Sequence, residues 1–305
     1  PSAKTGTFGT ATYVMSDSLS VPQGYAPFYI SHYGRHGSRW MPKDDRYVWI
    51  CKHFEDESNL TPLGLQVKGM LQRVWENARG NGGKLSKLGA LQHQGIAHRM
   101  FERYPQIFAA GNAVKARSSV VDRCAKSMQA FISELHTLQS GLHLDVKTDS
   151  ADMAWIAYVS PEVKALENRT HVQAQVSPRR FLLQLFKDVS KVDEPLKLMT
   201  EMHTVASSIQ DVGLNFSSYP QDIEDGLNAL FTDDEFRAIY EANNLRMAIN
   251  NGTVATNEDI PARSAISLWQ NIEAEADQAL RSVKSSATLR FGHDTALYRL
   301  LSLLF

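Results

Sequence analysis

Two periods of apolar residues run along this chain, and they divide it into strand-like ends and a helical middle. The run YAPFYISHYG is rich in aromatic and branched residues and is bracketed by Pro22, Gly24 and Gly34, which predicts a buried strand over Pro27 to Ser31. Helical spacing follows. Leu63, Val67, Met70, Leu71 and Val74 share one face, Thr61 suits the N-cap, Pro62 the first helical position, and Gly80 stops the run. The pattern echoes about 25 residues later, with Ser86 as the cap and Pro105 as the stop. A short strand is predicted over Val114 to Arg117, then a long helix closed by Gly141. From about residue 150 to 284 the spacing is mostly helical, with a capping box at Thr232 and Glu235. A last strand over Thr288 to Phe291, a turn at Gly292 and His293, and a helix complete the chain.

Strands at both ends with helices between them predict an α/β fold. The pattern predicts a sheet that carries a helical insertion. The corresponding boundaries are residues 1–145 plus 285–305 for the α/β catalytic domain and 146–284 for a mainly helical cap.

Composition narrows the function without naming it. The 305 residues carry a formal net charge of −1, so nothing favours broad attraction to nucleic acid or an anionic membrane. No apolar run approaches the roughly 20 residues that span a bilayer, so membrane insertion is not expected. Any work done by cationic groups must therefore be local. The two cysteines, Cys51 and Cys124, fit one disulfide or a pair of buried thiols. The chain starts at Pro1 without a signal-like segment, which fits a processed or trimmed chain.

Three places share one layout: a strand, then polar or charged residues, then a helix. They are Arg35-His36-Gly37-Ser38-Arg39, Arg117-Ser118-Ser119, and His293-Asp294-Thr295. Ligands of open α/β sheets bind beyond the carboxyl ends of the strands. If these strands are neighbours, one pocket holds Arg35, Arg39, Arg117, His36, His293 and Asp294. Guanidinium forks match phosphate geometry and stay charged. A histidine ring nitrogen can attack phosphorus, and a nearby carboxyl can protonate the leaving oxygen. His32 and His36 stand four apart, a metal-binding spacing on a helix, but this segment reads as strand and turn, so no metal or other cofactor is expected. Taken singly, Arg117 also fits a surface charge and Asp294 a simple helix cap.

Together these motifs resemble the histidine acid phosphatases, the branch of the histidine phosphatase superfamily that includes phytases and multiple inositol polyphosphate phosphatases. The resemblance lies in Arg35-His36-Gly37-Ser38-Arg39, in the stretch ARSSVVDRCAKSMQAF with Arg117, in His293-Asp294, and in the LTPLG and LSKLG helix openings. It implies an α/β fold with a mixed, mostly parallel sheet flanked by helices and an inserted helical domain over the active site. It also implies that His36 becomes a phosphohistidine, that Arg35, Arg39, Arg117 and His293 hold the phosphoryl oxygens, and that Asp294 protonates the leaving alcohol. The implied partner is a small phosphorylated substrate such as an inositol phosphate, and the implied location is periplasmic or secreted. Oligomeric state is not specified. Lys43 is a candidate further contact, although Trp40 and Met41 displace the family's proline to Pro42. Arg179 and Arg180 are candidates for extending a basic pocket, with a solvated helix start as the alternative. Only eleven residues follow Asp294, so a longer C-terminal portion is expected. Two other readings stay open: a phospholigand-binding protein without catalysis, and a phosphomutase on the same scaffold.

Overall fold

The computed structural model describes residues 21–282 and 284–305; Pro1 and the first twenty residues of the expected catalytic domain lie outside them. The described residues form two compact units. A sheet unit contains 21–37, Gly89–Thr170 and Arg246–Phe305, and a helical unit contains Ser38–Leu88 and His171–Leu245. This division differs from the expected one, because Ser38–Leu88 groups with the middle of the chain.

Burial explains that grouping. In the helical unit, Val67, Leu71 and Val74 of the helix Pro62–Ala78 share one core with Phe181 and Leu185 of Arg179–Leu185 and with Leu198, Val205 and Ile209 of Pro195–Val212. Each such fully buried aliphatic or aromatic side chain contributes roughly 1.5–3 kcal/mol over an exposed one. Thr61 does cap its helix, its hydroxyl accepting the Gly64 N–H at 3.0 Å. The capping box of the helix Asp233–Asn251 is reciprocal: Thr232 Oγ1 accepts the Glu235 N–H, and Glu235 Oε2 accepts the Thr232 N–H at 2.8 Å.

The sheet unit is built on four strands, β1 (Tyr29–Arg35), β2 (Ala113–Ser118), β3 (His143–Thr148) and β4 (Ser286–Gly292). Their order is β1-β4-β2-β3, and every pairing among them is parallel. One sheet face, carrying Val114, Ala116, Ala287, Leu289 and Phe291, packs on Met128, Phe131 and Leu135 of the helix Asp122–Leu138. β1 runs four residues past the predicted end. Gly34 and Arg35 read as a turn, yet parallel pairing continues to Arg35 opposite Gly292. β3 alternates only two apolar residues, Leu144 and Val146, with Asp145 and Lys147, and it is a largely exposed edge that the sequence reading passes over. Because the strands are parallel and β4 lies between β1 and β2, the segments following β1, β4 and β2 leave the same edge of the sheet side by side.

Candidate active site

The loop after β1 is held by both backbone and side-chain contacts. The His36 N–H donates to the Gly292 carbonyl at 3.0 Å, which extends the β1–β4 ladder by one bond. Gly37 then lies against the helix Lys87–Arg103 so closely that a Cβ there would sit 2.3 Å from the Gly89 oxygen. No side chain larger than hydrogen fits at this position. The Gly37 N–H donates to Ser127 Oγ at 3.0 Å, and that hydroxyl donates to the Arg123 carbonyl at 2.8 Å. His93 Nε2 lies 3.1 Å from the Arg35 carbonyl. Burial pulls His93 down to about 4, against the opposing pull of that carbonyl, so the ring is neutral at neutral pH and donates Nε2–H. His32, also brought to about 4 by burial and by the charges of His93 and Arg290, packs against Phe131 and Phe291 on the core face.

His36 is buried, with Nδ1 2.8 Å from the Gly37 carbonyl. A carbonyl only accepts, so Nδ1 carries the hydrogen and the lone pair of the neutral ring resides on Nε2. The His36 and His293 rings face each other edge to face, with centroids 5.6 Å apart. His293 is the N-cap residue of the helix Asp294–Leu304. Its Nε2 lies 3.4 Å from Ser119 Oγ and 3.7 Å from Cys124 Sγ. Cys124 donates to the Gly292 carbonyl at 3.3 Å, and burial pushes its thiol up, so it is un-ionised. Both cysteines are free thiols. Arg35 Nε meets Asp294 Oδ2 at 2.9 Å, while Asp294 Oδ1 accepts the Thr295 N–H. Thus Arg35, His36, His293 and Asp294, from opposite ends of the chain, stand together.

The remaining arginines divide differently from the sequence reading. Arg117 lies inside β2, on the face away from the Phe131 core, opposite Arg290. Its guanidinium donates to Asp145 Oδ2 at 2.6 Å and to the carbonyls of Asp145 and Ala116, with Asp152 at 3.9 Å. It ties β2 to β3. Arg123, six residues on, occupies the first turn of the helix Asp122–Leu138 and has a buried Nε without a hydrogen-bond partner. Burial and the nearby Arg35 lower its pKa, with Cys124 and Asp294 acting in the opposite sense. Its electrostatic neighbours are therefore the candidate-site residues themselves. A cation in the first turn opposes the helix dipole. That placement, just past a strand end, is the signal in the sequence that marks Arg123.

Arg39 belongs to the helical unit, where its backbone bridges Leu85 and its Nη1 donates to the Trp40 carbonyl at 2.7 Å. Lys43 is exposed at the N-cap of the helix Asp44–Lys52. Arg179 is exposed, whereas Arg180 donates to Glu235 and to the Leu230 carbonyl. Among the described residues, no cluster of three or more His, Cys, Asp or Glu side chains could hold a metal ion.

A multiple inositol polyphosphate phosphatase from Bifidobacterium longum, solved with inositol hexasulfate, superposes with a TM-score of 0.71 at 15% identity, covering 93% of this chain and 76% of that one. The fold is that of the histidine acid phosphatases. A phytase from D. castellii superposes with a TM-score of 0.65 at 13% identity, covering 94% of this chain and 64% of its own. In sequence, multiple inositol polyphosphate phosphatase 1 of Gallus gallus is 23% identical over 230 residues, which is 72% of this chain. The chain spans about half the length of that relative, 51%. No protein-family model matches. The likeness to histidine acid phosphatases read from the motifs is borne out by these matches, and the helices flanking the parallel sheet agree with it.

Proposed function

We propose that this chain is a phosphomonoesterase that works through a covalent phosphohistidine at His36, with inositol phosphates as the substrate class. The observation that carries the reading is the facing of His36 and His293 at 5.6 Å beside the Arg35–Asp294 pair. In the proposed first step the His36 Nε2 lone pair attacks phosphorus, and the bond from phosphorus to the ester oxygen breaks. Asp294, protonated, gives its proton to that oxygen and the alcohol leaves. In the second step water attacks the phosphohistidine and the P–N bond breaks. Asp294 takes one proton from the water, and inorganic phosphate departs.

Arg35, Arg123 and His293 are the groups assigned to the phosphoryl oxygens, where fixed positive charge stabilises the transition state most. Arg123 takes this task in place of Arg117, whose guanidinium is committed to Asp145. The role the resemblance gives to Arg39 rests on the motif. Inositol phosphates are supported as substrates by the similarity to inositol polyphosphate phosphatases and a phytase.

The test uses phosphate-labelled phytate and alkaline quenching, because the phosphorus–nitrogen bond of a phosphohistidine survives alkali and is cleaved by acid. The unmodified chain should release inorganic phosphate and retain label on His36. His36→Ala should lose turnover by at least about 10⁴-fold while keeping its unfolding temperature. Undiminished turnover by His36→Ala would overturn the mechanism.

A further inference from the structure

We propose that the Tyr33 hydroxyl is a positioning group that clamps the His293–Asp294 turn to β1 and thereby aims the Asp294 carboxyl. This rests on the phosphatase reading and deepens it.

Tyr33 lies on the sheet face opposite His32 and Gly34. Its ring packs in a cluster with Trp155, Trp269 and Leu300, the last from the helix that Asp294 opens. At the tip of this ring the hydroxyl makes two bonds. It donates to the Ile156 carbonyl at 2.7 Å and accepts the His293 N–H at 3.3 Å. Burial pushes the phenol well above its ordinary pKa, so it stays protonated and can play both parts. Ile156 is itself buried, and gives the hydroxyl a fixed reference point.

The approach to the turn is close. A Cβ on Gly292 would lie 2.0 Å from the Tyr33 oxygen. The hydroxyl therefore occupies the space of a side chain at Gly292, which can be filled only because that residue is glycine. No side chain caps the helix Asp294–Leu304 from its N-cap, His293. The first N–H groups of a helix need partners from outside it, and at the start of this one the Tyr33 oxygen meets the His293 N–H. Asp294 is the next residue. Rotation of the His293 peptide swings its carboxyl directly, and a misplacement of about 1 Å can cost on the order of 10²-fold in rate.

The experiment compares Tyr33→Phe with the unmodified chain on two substrates: an alkyl phosphate, whose leaving oxygen needs a proton, and 4-nitrophenyl phosphate, whose leaving group does not. Asp294→Asn serves as the reference for lost acid catalysis. Tyr33→Phe should lower kcat on the alkyl phosphate about tenfold, with KM unchanged, and on 4-nitrophenyl phosphate less than about twofold. Equal losses on both substrates, or none, would overturn the inference while leaving the phosphatase reading intact. If the unmodified chain hydrolyses neither, the function reading itself fails. Hydrogen exchange on the unmodified chain gives an answer that does not depend on the variant folding. The His293 amide should be protected, and exchange at the rate of an open loop would refute the clamp.

Discussion

Arg180 and Glu235 form an ion pair in the helical unit, and Arg35 and Asp294 form one in the sheet unit. The two pairs have the same chemistry and very different surroundings. The Arg180 side chain is 44% exposed, but that of Glu235 is only 6% exposed and accepts the Thr232 N–H as well as two bonds from Arg180, which also donates to the Leu230 carbonyl. Its carboxylate is saturated, and the pair acts as a strut between helices. Arg35 and Asp294 keep 38% and 23% of their side-chain surface open to solvent, at the edge where parallel strands end and beside two imidazoles. Removing one partner of a pair whose bonds are all made inside the protein destabilises the fold. A group that remains reachable beside a nucleophile can exchange a partner for substrate.

Four substitutions sharpen this contrast, and the largest effect belongs to the open pair. Asp294→Asn should slow hydrolysis of an alkyl phosphate by about 10³-fold and of 4-nitrophenyl phosphate by less than about tenfold. Steady-state rates on both substrates decide it, and equal losses would remove the acid role. Next comes the choice between two arginines. Arg123→Ala should reduce kcat/KM on the order of 10²-fold, since it removes positive charge from the developing oxyanion. Arg117→Ala should leave kcat/KM within about twofold and cost about 1 kcal/mol in denaturant unfolding. The reverse ranking would return the phosphate contact to Arg117.

The saturated pair should respond in stability alone. Glu235→Gln should lower unfolding stability by about 2 kcal/mol and leave turnover unchanged. Burial alone would raise the Glu235 pKa, but Arg180 and the Thr232 groups overcome that and hold it below the ordinary carboxylate value. A depressed carboxylate contributes its stability in full above the unfolded value and loses it as pH falls through the folded one. Thermal melts should therefore separate the two proteins at neutral pH and bring them together only as pH falls through the depressed folded pKa of Glu235. A gap that persists in acid would show that the bonds of Glu235 do not depend on its charge.

Much of the candidate site is legible as residue types at strand ends, because Arg35-His36-Gly37 and His293-Asp294 each sit where a strand pattern gives way to a turn or a helix. The edge strand His143–Thr148 is passed over, since its alternation is only two apolar residues long, Leu144 and Val146, on a largely exposed edge. Arg117 looked equivalent to the others because it precedes two serines, yet it lies within its strand and not beyond it. Arg123 carries a signal of its own, a cation in the first turn of a helix, which becomes clear once the helix start at Asp122 is known.

The amino-acid order alone determined that the chain would present guanidinium, imidazole and carboxyl groups after strands, because local periodicity and turn residues depend on neighbours in sequence. Which of those groups share one pocket was decided by tertiary structure. Parallel pairing places β4 between β1 and β2, bringing the loop after β1 beside the turn after β4. Side-chain alternation in β2 sends Arg117 to Asp145, while the following helix carries Arg123 into the electrostatic company of Arg35 and Asp294. Such choices depend on strand register and helix facing, which are set by contacts between segments separated in sequence, from the neighbouring strands β2 and β3 to β1 and β4 at opposite ends of the chain.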